Sequence, residues 1–548
     1  MKRHARLIRR VVAVVARNPD IRRGQIAFSA FNGAEWAVWI AMLVYAYGRG
    51  GATAAGFVAL IQMIPATILA PIASVLGDRY RPARVLTLGY FIQATAMGAT
   101  AAVLLLDGPA ALAYACAAVA ATATTMTRPT MAALTPGLCR TPEELTASNV
   151  VSGWNESTSI LIAPAIAGLI LSVSGPGWVF LVMGTIVLGG ALLVMTIAGP
   201  AANPASGASV KKELVEGFSV VIREPSARTL VGILGAEQVA LGMLDVLYVV
   251  LAVSVLGMGN GGAGYLNAAF GLGGALAIAV TATLVGRARL IPAIVLALAV
   301  WATAFILMAL LSTVIAAMLL LVVAGASHSL FDVSGRTLLQ RTAPPEVLAR
   351  VFGVLECLMS AGIAAGAMLA PLLVHLGGTT AAIVGTGLLL PVLALLIGRR
   401  LFALDASAKV PIVEIGLLRS LRLFSALSPP SLEGIARSLE PLEAPAGTPI
   451  VTQGEDGEHY YAIAEGALEV VINGKRVNVL TRGDGFGEIA LLQDCTRTAT
   501  VAALSDVKLY SLEKEPFLEV LTGHPAAHAA AQEVARERQP LLQPTPPA

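Results

Sequence analysis

Two groups of residues in this chain could do chemistry. One is a run near the C-terminus, Gly485-Phe486-Gly487-Glu488-Ile489-Ala490-Leu491-Leu492, followed by Arg497-Thr498-Ala499-Thr500-Val501. Its glycines allow a tight turn and close approach of a ligand to the backbone. A short helix starting at Glu488 would turn free backbone N–H groups toward an anion. Arg497 would bring a permanent charge on a planar donor fork suited to phosphate. A carboxylate beside a phosphate site is out of place unless it accepts a hydroxyl, as acidic residues do from ribose in dinucleotide folds. Glu488 can do that, and Thr498 adds a hydroxyl of its own.

The second group consists of ionisable residues inside apolar stretches: Glu35, Arg128, Glu156, Glu237, Asp245, Asp332, Arg336 and Glu356. A charge at the centre of a membrane helix costs about 2.5–3.5 kcal/mol on insertion scales, so these residues either serve a purpose or pair with one another. Glu35, Glu237, Asp245, Glu156 and Arg128 are the candidates for a transport and proton-coupling site. Arg336 and Glu356 read as helix-end residues, snorkelling or pairing near one membrane face. His328 and His375 are placed near helix ends and given no function. Trp36, Trp39, Tyr45 and Tyr47 could line a hydrophobic site, but at helical spacing they read as lipid-facing or packing residues.

The elements that must carry these residues follow from composition. Of 548 residues 56% are hydrophobic and only 13% charged, about half the charged share of soluble domains. From Gly24 to Arg400 apolar stretches succeed one another, each near the roughly 20 residues that span a bilayer. Twelve are expected, near 24–47, 53–77, 83–106, 109–138, 145–173, 176–199, 227–257, 262–285, 290–311, 313–341, 346–375 and 379–400. An even number puts both termini on one side. Arg79, Arg81, Arg84, Arg140, Lys211, Lys212, Arg223, Arg287, Arg289, Arg341 and Arg350 all fall in alternate connections, and Arg49 is the main exception. Positive loops stay cytoplasmic, so both termini are expected in the cytoplasm of a multi-pass protein of the cell membrane. The N-terminal Lys/Arg-rich segment 1–23 has no cleavage signal and reads as retained.

The apolar zone repeats. Gly33-Ala34-Glu35 returns as Gly235-Ala236-Glu237, and Pro142-Glu143-Glu144-Leu145 is echoed by Pro345-Glu346-Val347-Leu348, at offsets of 202 and 203 residues. Two parallel six-helix halves around a midplane cavity follow, 24–199 and 227–400, joined by a loop at 200–226. Glu35 and Glu237 would then face one cavity and exchange protons with water. After a linker at 401–414 the pattern becomes that of a soluble domain, 415–538, with a tail at 539–548. Amphipathic helices lead into short alternating strands, among them a hairpin from Leu468 to Leu480 around Asn473-Gly474. Pro516 to Arg538 returns to helix.

On these residues the C-terminal zone resembles the cyclic-nucleotide-binding domains of protein kinase A regulatory subunits, catabolite activator proteins and cyclic-nucleotide-gated channels. The likeness includes Leu423-Phe424-Ser425, Gly454-Glu455-Asp456-Gly457-Glu458 and Tyr460-Tyr461. It implies backbone contacts from Gly487, Ile489 and Ala490, a ribose 2′-hydroxyl on Glu488, and the cyclic phosphate on Arg497, Thr498 and Ala499. The ligand implied is cyclic AMP, with cyclic GMP as the alternative. Taken singly, Glu488 and Arg497 would be an ordinary surface ion pair; the complete run in register favours a nucleotide site.

The zone from about 20 to 400 resembles the major facilitator superfamily, nearest its multidrug and siderophore exporters. Ser74-Val75-Leu76-Gly77-Asp78-Arg79-Tyr80-Arg81-Pro82-Ala83-Arg84 is similar to that family's loop between its second and third helices. The resemblance implies a gating role for Asp78, Arg79 and Arg84. The loop departs from the family pattern at Ser74 and Arg81, and the matching Gly286-Arg287-Ala288-Arg289 lacks the acid. The expected fold is thus a twelve-helix major facilitator unit with a C-terminal α+β-barrel nucleotide-binding domain.

The expected function is proton-coupled export of small organic molecules, modulated by cyclic nucleotide. The alternatives are a nucleotide sensor on a transporter scaffold and, last, a carrier of the nucleotide itself, for which acids predominate too strongly in the spans. No phosphate-loop motif, Ser-His-Asp set or Cys-His set argues for an enzyme. The scattered Cys116, Cys139, Cys357 and Cys495 argue against a metal site or disulfide framework. A net charge of +3 without a basic aromatic stripe argues against nucleic acid.

Overall fold

The computed structural model describes residues 11–79, 81–197, 218–219, 221–281, 289–342, 345–407, 412–424, 427, 429–493, 495–523 and 525–538. Some side chains in these ranges are not described, including those of 69–79, 278–281, 345–350 and 403–407. Most of the central loop, with Lys211 and Lys212, the tail 539–548, Arg287 and the side chains of Asp78, Arg79 and Arg350 therefore lie outside the description. The chain divides into two compact units, with the main boundary between Ala408 and Lys409.

The first unit is helical: α1 Pro19–Arg79, α2 Pro82–Leu105, α3 Ala110–Thr124, α4 Thr127–Leu138, α5 Pro142–Val173, α6 Pro176–Met195, α7 Pro225–Val250, α8 Gly262–Thr281, α9 Ile291–Leu310, α10 Val314–Thr342 and α11 Pro345–Ser407. Nine helical stretches among the described residues are long and apolar enough to cross a bilayer. Two of these are double spans, since α1 turns at Gly50-Gly51 and α11 at Gly378, where φ is 63° at Gly51 and 76° at Gly378. With α8 the described residues form twelve spans, the number the hydropathy pattern predicts. Prolines open α5 and α11 at the repeated motif; Pro is favoured there because the first helical N–H has no partner to lose. The linker expected at 401–414 is helical through Ser407, because nothing in Leu401-Phe402-Ala403-Leu404-Asp405-Ala406-Ser407 breaks a helix.

Two spans are interrupted where their residues dictate. The fourth is broken between α3 and α4 at Thr125-Met126. The ring of Pro129 excludes the normal bond to the Thr125 carbonyl, and Thr122, Thr124 and Thr125 turn their hydroxyls back onto carbonyls one turn earlier. This break sets the height of Arg128. The seventh ends in a π turn, Leu251–Val255.

The two halves meet through glycines on the side away from the N-terminus. Gly56 approaches the Ala367 carbonyl of α11, Gly168 of α5 approaches Gly261 and Gly264 at the start of α8, and Gly271 lies against the Ile160 carbonyl. Lipid gives helices no hydrophobic reason to associate, so close backbone packing at small residues supplies the attraction. Two aromatics expected to pack or face lipid also reach across. Trp39 Nε1 donates to Asp245 Oδ2 at 3.2 Å, and Tyr47 bonds to Ser254 at 2.5 Å.

The second unit has two antiparallel four-stranded sheets, β1-β8-β3-β6 and β2-β7-β4-β5. The strands are β1 Glu440–Ala444, β2 Pro449–Val451, β3 His459–Glu465, β4 Ala467–Ile472, β5 Lys475–Thr481, β6 Gly485–Phe486, β7 Thr500–Ala503 and β8 Val507–Glu513. The predicted hairpin is β4–β5, turning at Asn473 (φ 51°) and Gly474 (φ 79°). Alternation along β3 separates two cores. Ile463 joins Leu468, Leu480, Phe486, Val501 and Leu509 between the sheets. Tyr460 and Ala462 face outward to a layer formed by α12 Ile412–Ser420, α13 Pro429–Arg437, α15 Lys514–Gly523 and α16 Pro525–Arg538. Phe517 stacks on Tyr460 at 5.0 Å and Phe424 meets its edge at 5.6 Å. Between β6 and β7 lies the remaining helix, α14 Glu488–Gln493.

The tightest crossing yields a stability test. On α8 and α10, a Cβ at Gly273 would overlap the Val322 carbonyl, and one at Gly325 the Phe270 carbonyl. Gly273→Ala should therefore cost about 1–3 kcal/mol, the usual range for overpacking. Gly353→Ala, where a Cβ meets no atom within 4 Å, should not. Thermal melts of the detergent-purified protein check this; a Gly273→Ala melt equal to wild type would refute the crossing.

Candidate functional site

The run singled out near the C-terminus folds into a walled pocket. Phe486 in β6 leads into Gly487, and α14 starts at Glu488 as expected. Gly487 has a φ of 97°, which favours glycine, and a side chain there would collide with the Arg497 guanidinium and the His459 carbonyl. A Cβ at Gly457 would also crowd that guanidinium, at 3.2 Å from Cζ and Nε, so the Gly454–Glu458 turn helps to shape the arginine's slot. Arg497 is only 6% exposed. Its Nη2 donates to the His459 carbonyl at 2.8 Å and its Nη1 to the Gly487 carbonyl at 3.3 Å. Among the described residues it has no carboxylate ion-pair partner. Desolvation pushes it below the ordinary guanidinium value, against the opposing pull of Tyr461, Glu488 and Glu455. The Tyr461 ring lies 5.8 Å from its centre. The result is a buried, oriented cation with room for an anion.

Glu488 is 1% exposed and is not paired with Arg497. Its Oε1 accepts a bond from Arg538 Nη1 at 2.8 Å, and Arg538 also donates to the Gly485 carbonyl at 2.8 Å. Its Oε2 is buried without a partner. Leaving a buried carboxylate oxygen unsatisfied is costly, so this atom calls for a donor from a ligand. Gly487, Ile489, Ala490, Thr498 and Ala499 line the same pocket. Its far wall is aliphatic, from Val451, Val470, Ile472 and Leu480. The arrangement can hold an anion on one side, accept a hydroxyl beside it and stack an apolar ring on the strands.

In the membrane unit, Glu35, Arg128 and Glu156 come together from α1, α4 and α5. Arg128 donates to Glu35 Oε2 and Glu156 Oε1, each at 2.7 Å, and the Phe31 ring lies 5.6 Å from its guanidinium carbon. Gln25 holds α1 against α5 by donating to the hydroxyls of Ser148 and Ser152 at 2.8 Å. In the other half, Arg336 binds Asp332 at 2.8 Å and Glu356 of α11 at 3.5 Å. Glu237 stands apart from Glu35. Its side chain is 2% exposed against 31%, and its partner is His328. Asp245 is held by Trp39 from the other half. Of the gating set, Arg84 is exposed in the first turn of α2, while the Asp78 and Arg79 side chains lie outside the described residues.

Two residues escaped the sequence reading. His328 was placed near a helix end, but α10 runs from Val314 to Thr342 and His328 sits midway along it, 2.6 Å from Glu237. The signal was available, since an ionisable residue within a span calls for a function. Arg538 was seen only as the end of a helix. Nothing local reveals that it reaches Glu488, 50 residues earlier.

Both parts of the chain match known families. The family model for the Major Facilitator Superfamily matches residues 26–353 and 239–434, and that for the cyclic nucleotide-binding domain matches 441–524. A cAMP-dependent protein kinase regulatory subunit of Schizosaccharomyces pombe is 40% identical over 106 residues, 19% of this chain and 26% of that protein. The cGMP-dependent protein kinase 2 of Mus musculus is 32% identical over 117 residues, 21% of this chain and 15% of that protein. The chain thus spans about a quarter or less of these curated relatives. A solved structure, the regulatory domain of Toxoplasma gondii PKA with cAMP, is 28% identical, with a TM-score of 0.20, covering 24% of this chain and 48% of that one. The chain belongs to the Major Facilitator Superfamily and carries a cyclic nucleotide-binding domain after its last membrane helix.

Proposed function

We propose that this chain is a proton-coupled exporter of small organic molecules in the cell membrane, with both termini in the cytoplasm, and that cyclic AMP bound to its C-terminal domain modulates transport. The observation that carries the regulatory part is that one pocket holds a buried Arg497, with no carboxylate partner among the described residues, and an unpartnered Glu488 Oε2. A cyclic phosphate satisfies the first and a ribose 2′-hydroxyl the second. The strand wall is aliphatic but for Asn478, and such a wall favours adenine over the more polar guanine edge. Similarity to proteins named for cAMP and for cGMP supports the ligand class.

The transport reading rests on the membrane unit. Its halves touch on the side away from the N-terminus, while the Glu35–Arg128–Glu156 cluster is a third to nearly a half accessible. With the termini cytoplasmic, this is the inward-open member of an alternating pair. A bilayer protein keeps such charges for substrate or proton, and with no site for ATP hydrolysis in the sequence, an ion gradient is the natural driving force.

Calorimetry on the purified full-length protein tests the nucleotide site. Arg497→Ala should weaken cyclic AMP binding by about 1.5–3 kcal/mol, the worth of a charged hydrogen bond. Glu488→Gln should erase most of the preference for cyclic AMP over 2′-deoxy cyclic AMP. Absence of heat with the wild-type protein would refute the assignment, and a cyclic GMP affinity tenfold higher would reverse the choice of nucleotide.

Inverted membrane vesicles challenged with a panel of organic dyes test the rest. A pH gradient should drive accumulation, and cyclic AMP should change its rate several-fold, as coupling of about 1–3 kcal/mol implies. Arg497→Ala should abolish the nucleotide effect and leave basal transport intact. Nucleotide binding with no transport of any compound would favour the sensor reading.

A further inference from the structure

Glu237 and His328 meet between α7 and α10, with Glu237 Oε1 2.6 Å from His328 Nδ1. The carboxylate is 1% exposed, and its second oxygen, Oε2, has no partner. The imidazole ring is tilted over Phe270 at 5.6 Å, and Phe270 meets the edge of Trp301 at 6.3 Å. A buried acid thus meets a partly exposed imidazole that is flanked by an aromatic ring.

The other charged clusters of the unit are built differently. Glu35 and Glu156 share the guanidinium of Arg128, and Asp332 and Glu356 share that of Arg336. A guanidinium does not give up its proton in proteins, so the cation at the centre of each of these clusters is permanent. Glu237 has a partner that itself titrates, and His is the side chain whose charge changes most readily near neutral pH. The surroundings are sparse in charge. Asp332 and Arg336 act on the pair from α10, and Arg336 in turn holds Glu356 of α11. Asp245 lies two turns along α7, bonded by Trp39 of α1. Neither α8 nor α9 contains Asp, Glu, Lys, Arg or His; Tyr265 is the one titratable residue of α8.

We propose that Glu237 and His328 form a single proton-binding site, the one at which the transport cycle takes up and releases its proton. His328 Nδ1–H donates to Oε1 throughout. The imidazole stays neutral; on loading, an O–H bond forms at the free Oε2 with a proton given up by hydronium, which leaves water, and the pair passes from a negatively charged carboxylate–imidazole to a neutral acid–imidazole. Release breaks that same bond and returns the proton to water. The site lies on the helix that joins the halves: α7 carries Glu237, then Asp245 bound to Trp39, then the π turn whose Ser254 bonds Tyr47. π turns inside helices often mark functional positions. A charge change at Glu237 therefore acts on the element that closes one side of the transporter. The proposal rests on the proton-coupled reading and names its residues.

Infrared difference spectroscopy of the full-length protein in lipid, stepped through pH, reads the site without any substrate. Wild type should show a carboxylic-acid C=O band that titrates. Glu237→Gln should remove it, and His328→Gln should keep it but change the pH at which it appears. His375→Gln, exposed at a span end, should match wild type. In proteoliposomes with ethidium as the probe, Glu237→Gln and His328→Gln should each lose at least tenfold of pH-gradient-driven accumulation. A band that survives Glu237→Gln, or titrates identically in His328→Gln, overturns the site. A band that behaves as expected in a protein showing no gradient-driven transport overturns proton coupling and leaves the binding site standing.

Discussion

Taking an ionised group out of water costs several kcal/mol unless a partner of opposite charge or a set of hydrogen bonds replaces the lost hydration. Both units of this chain are organised around that cost. In the soluble unit the buried Arg497 guanidinium donates to two carbonyl oxygens and, among the described residues, pairs with no carboxylate, so its charge is directed to the pocket it lines. In the membrane unit Arg128 and Arg336 each satisfy two carboxylates drawn from different helices. These ion clusters fix the relative heights of α1, α4 and α5 in one half and of α10 and α11 in the other.

Packing then has to bring those groups within reach. Apolar side chains gain little by leaving lipid for one another, so the membrane helices approach through glycine until backbone touches backbone, as at Gly273 and Gly325. The soluble unit solves the same problem with the hydrophobic effect. Alternation along β3 sends Ile463 into the sandwich and Tyr460 to the helical layer, so one strand fixes two cores. The same strand supplies the His459 carbonyl that orients Arg497. Site geometry in the two units therefore depends on different forces, close backbone contact in one and apolar burial in the other.

Features with a local cause were legible in the sequence. Asn473-Gly474 dictates a turn with positive φ at both positions, and the hairpin forms there. Pro142 and Pro345 open helices because proline lacks the N–H that a first turn leaves unpaired. The start of α14 at Glu488 follows from the neighbouring Gly487, whose φ of 97° favours glycine. Contacts over long separations were not legible. Glu237 and His328 are 91 residues apart and Arg128 and Glu35 are 93 apart, and no periodicity states which faces of two helices will meet. The internal repeat put Glu35 and Glu237 at equivalent positions yet could not foretell that one would take an arginine and the other a histidine. That difference arises because Arg128 and His328 stand on the fourth and tenth spans at unmatched positions, so related backbones carry unlike chemistry.

The two oxygens of Glu488 show how a binding site and a helix can be tied together without competing. Arg538, at the end of α16, holds Oε1, while Oε2 is buried without a partner. A ligand hydroxyl can take Oε2 while the arginine keeps its place, and each contact orients the carboxylate for the other. Binding free energies are reciprocal: whatever a ligand gains from a carboxylate already aligned by Arg538, the docked state of α16 gains from the ligand. Because a single rigid carboxyl group carries both contacts, the coupling needs no chain of intermediate residues and no movement of the sheets. The strands can stay fixed by their two cores while the helix bearing Arg538 responds to occupancy.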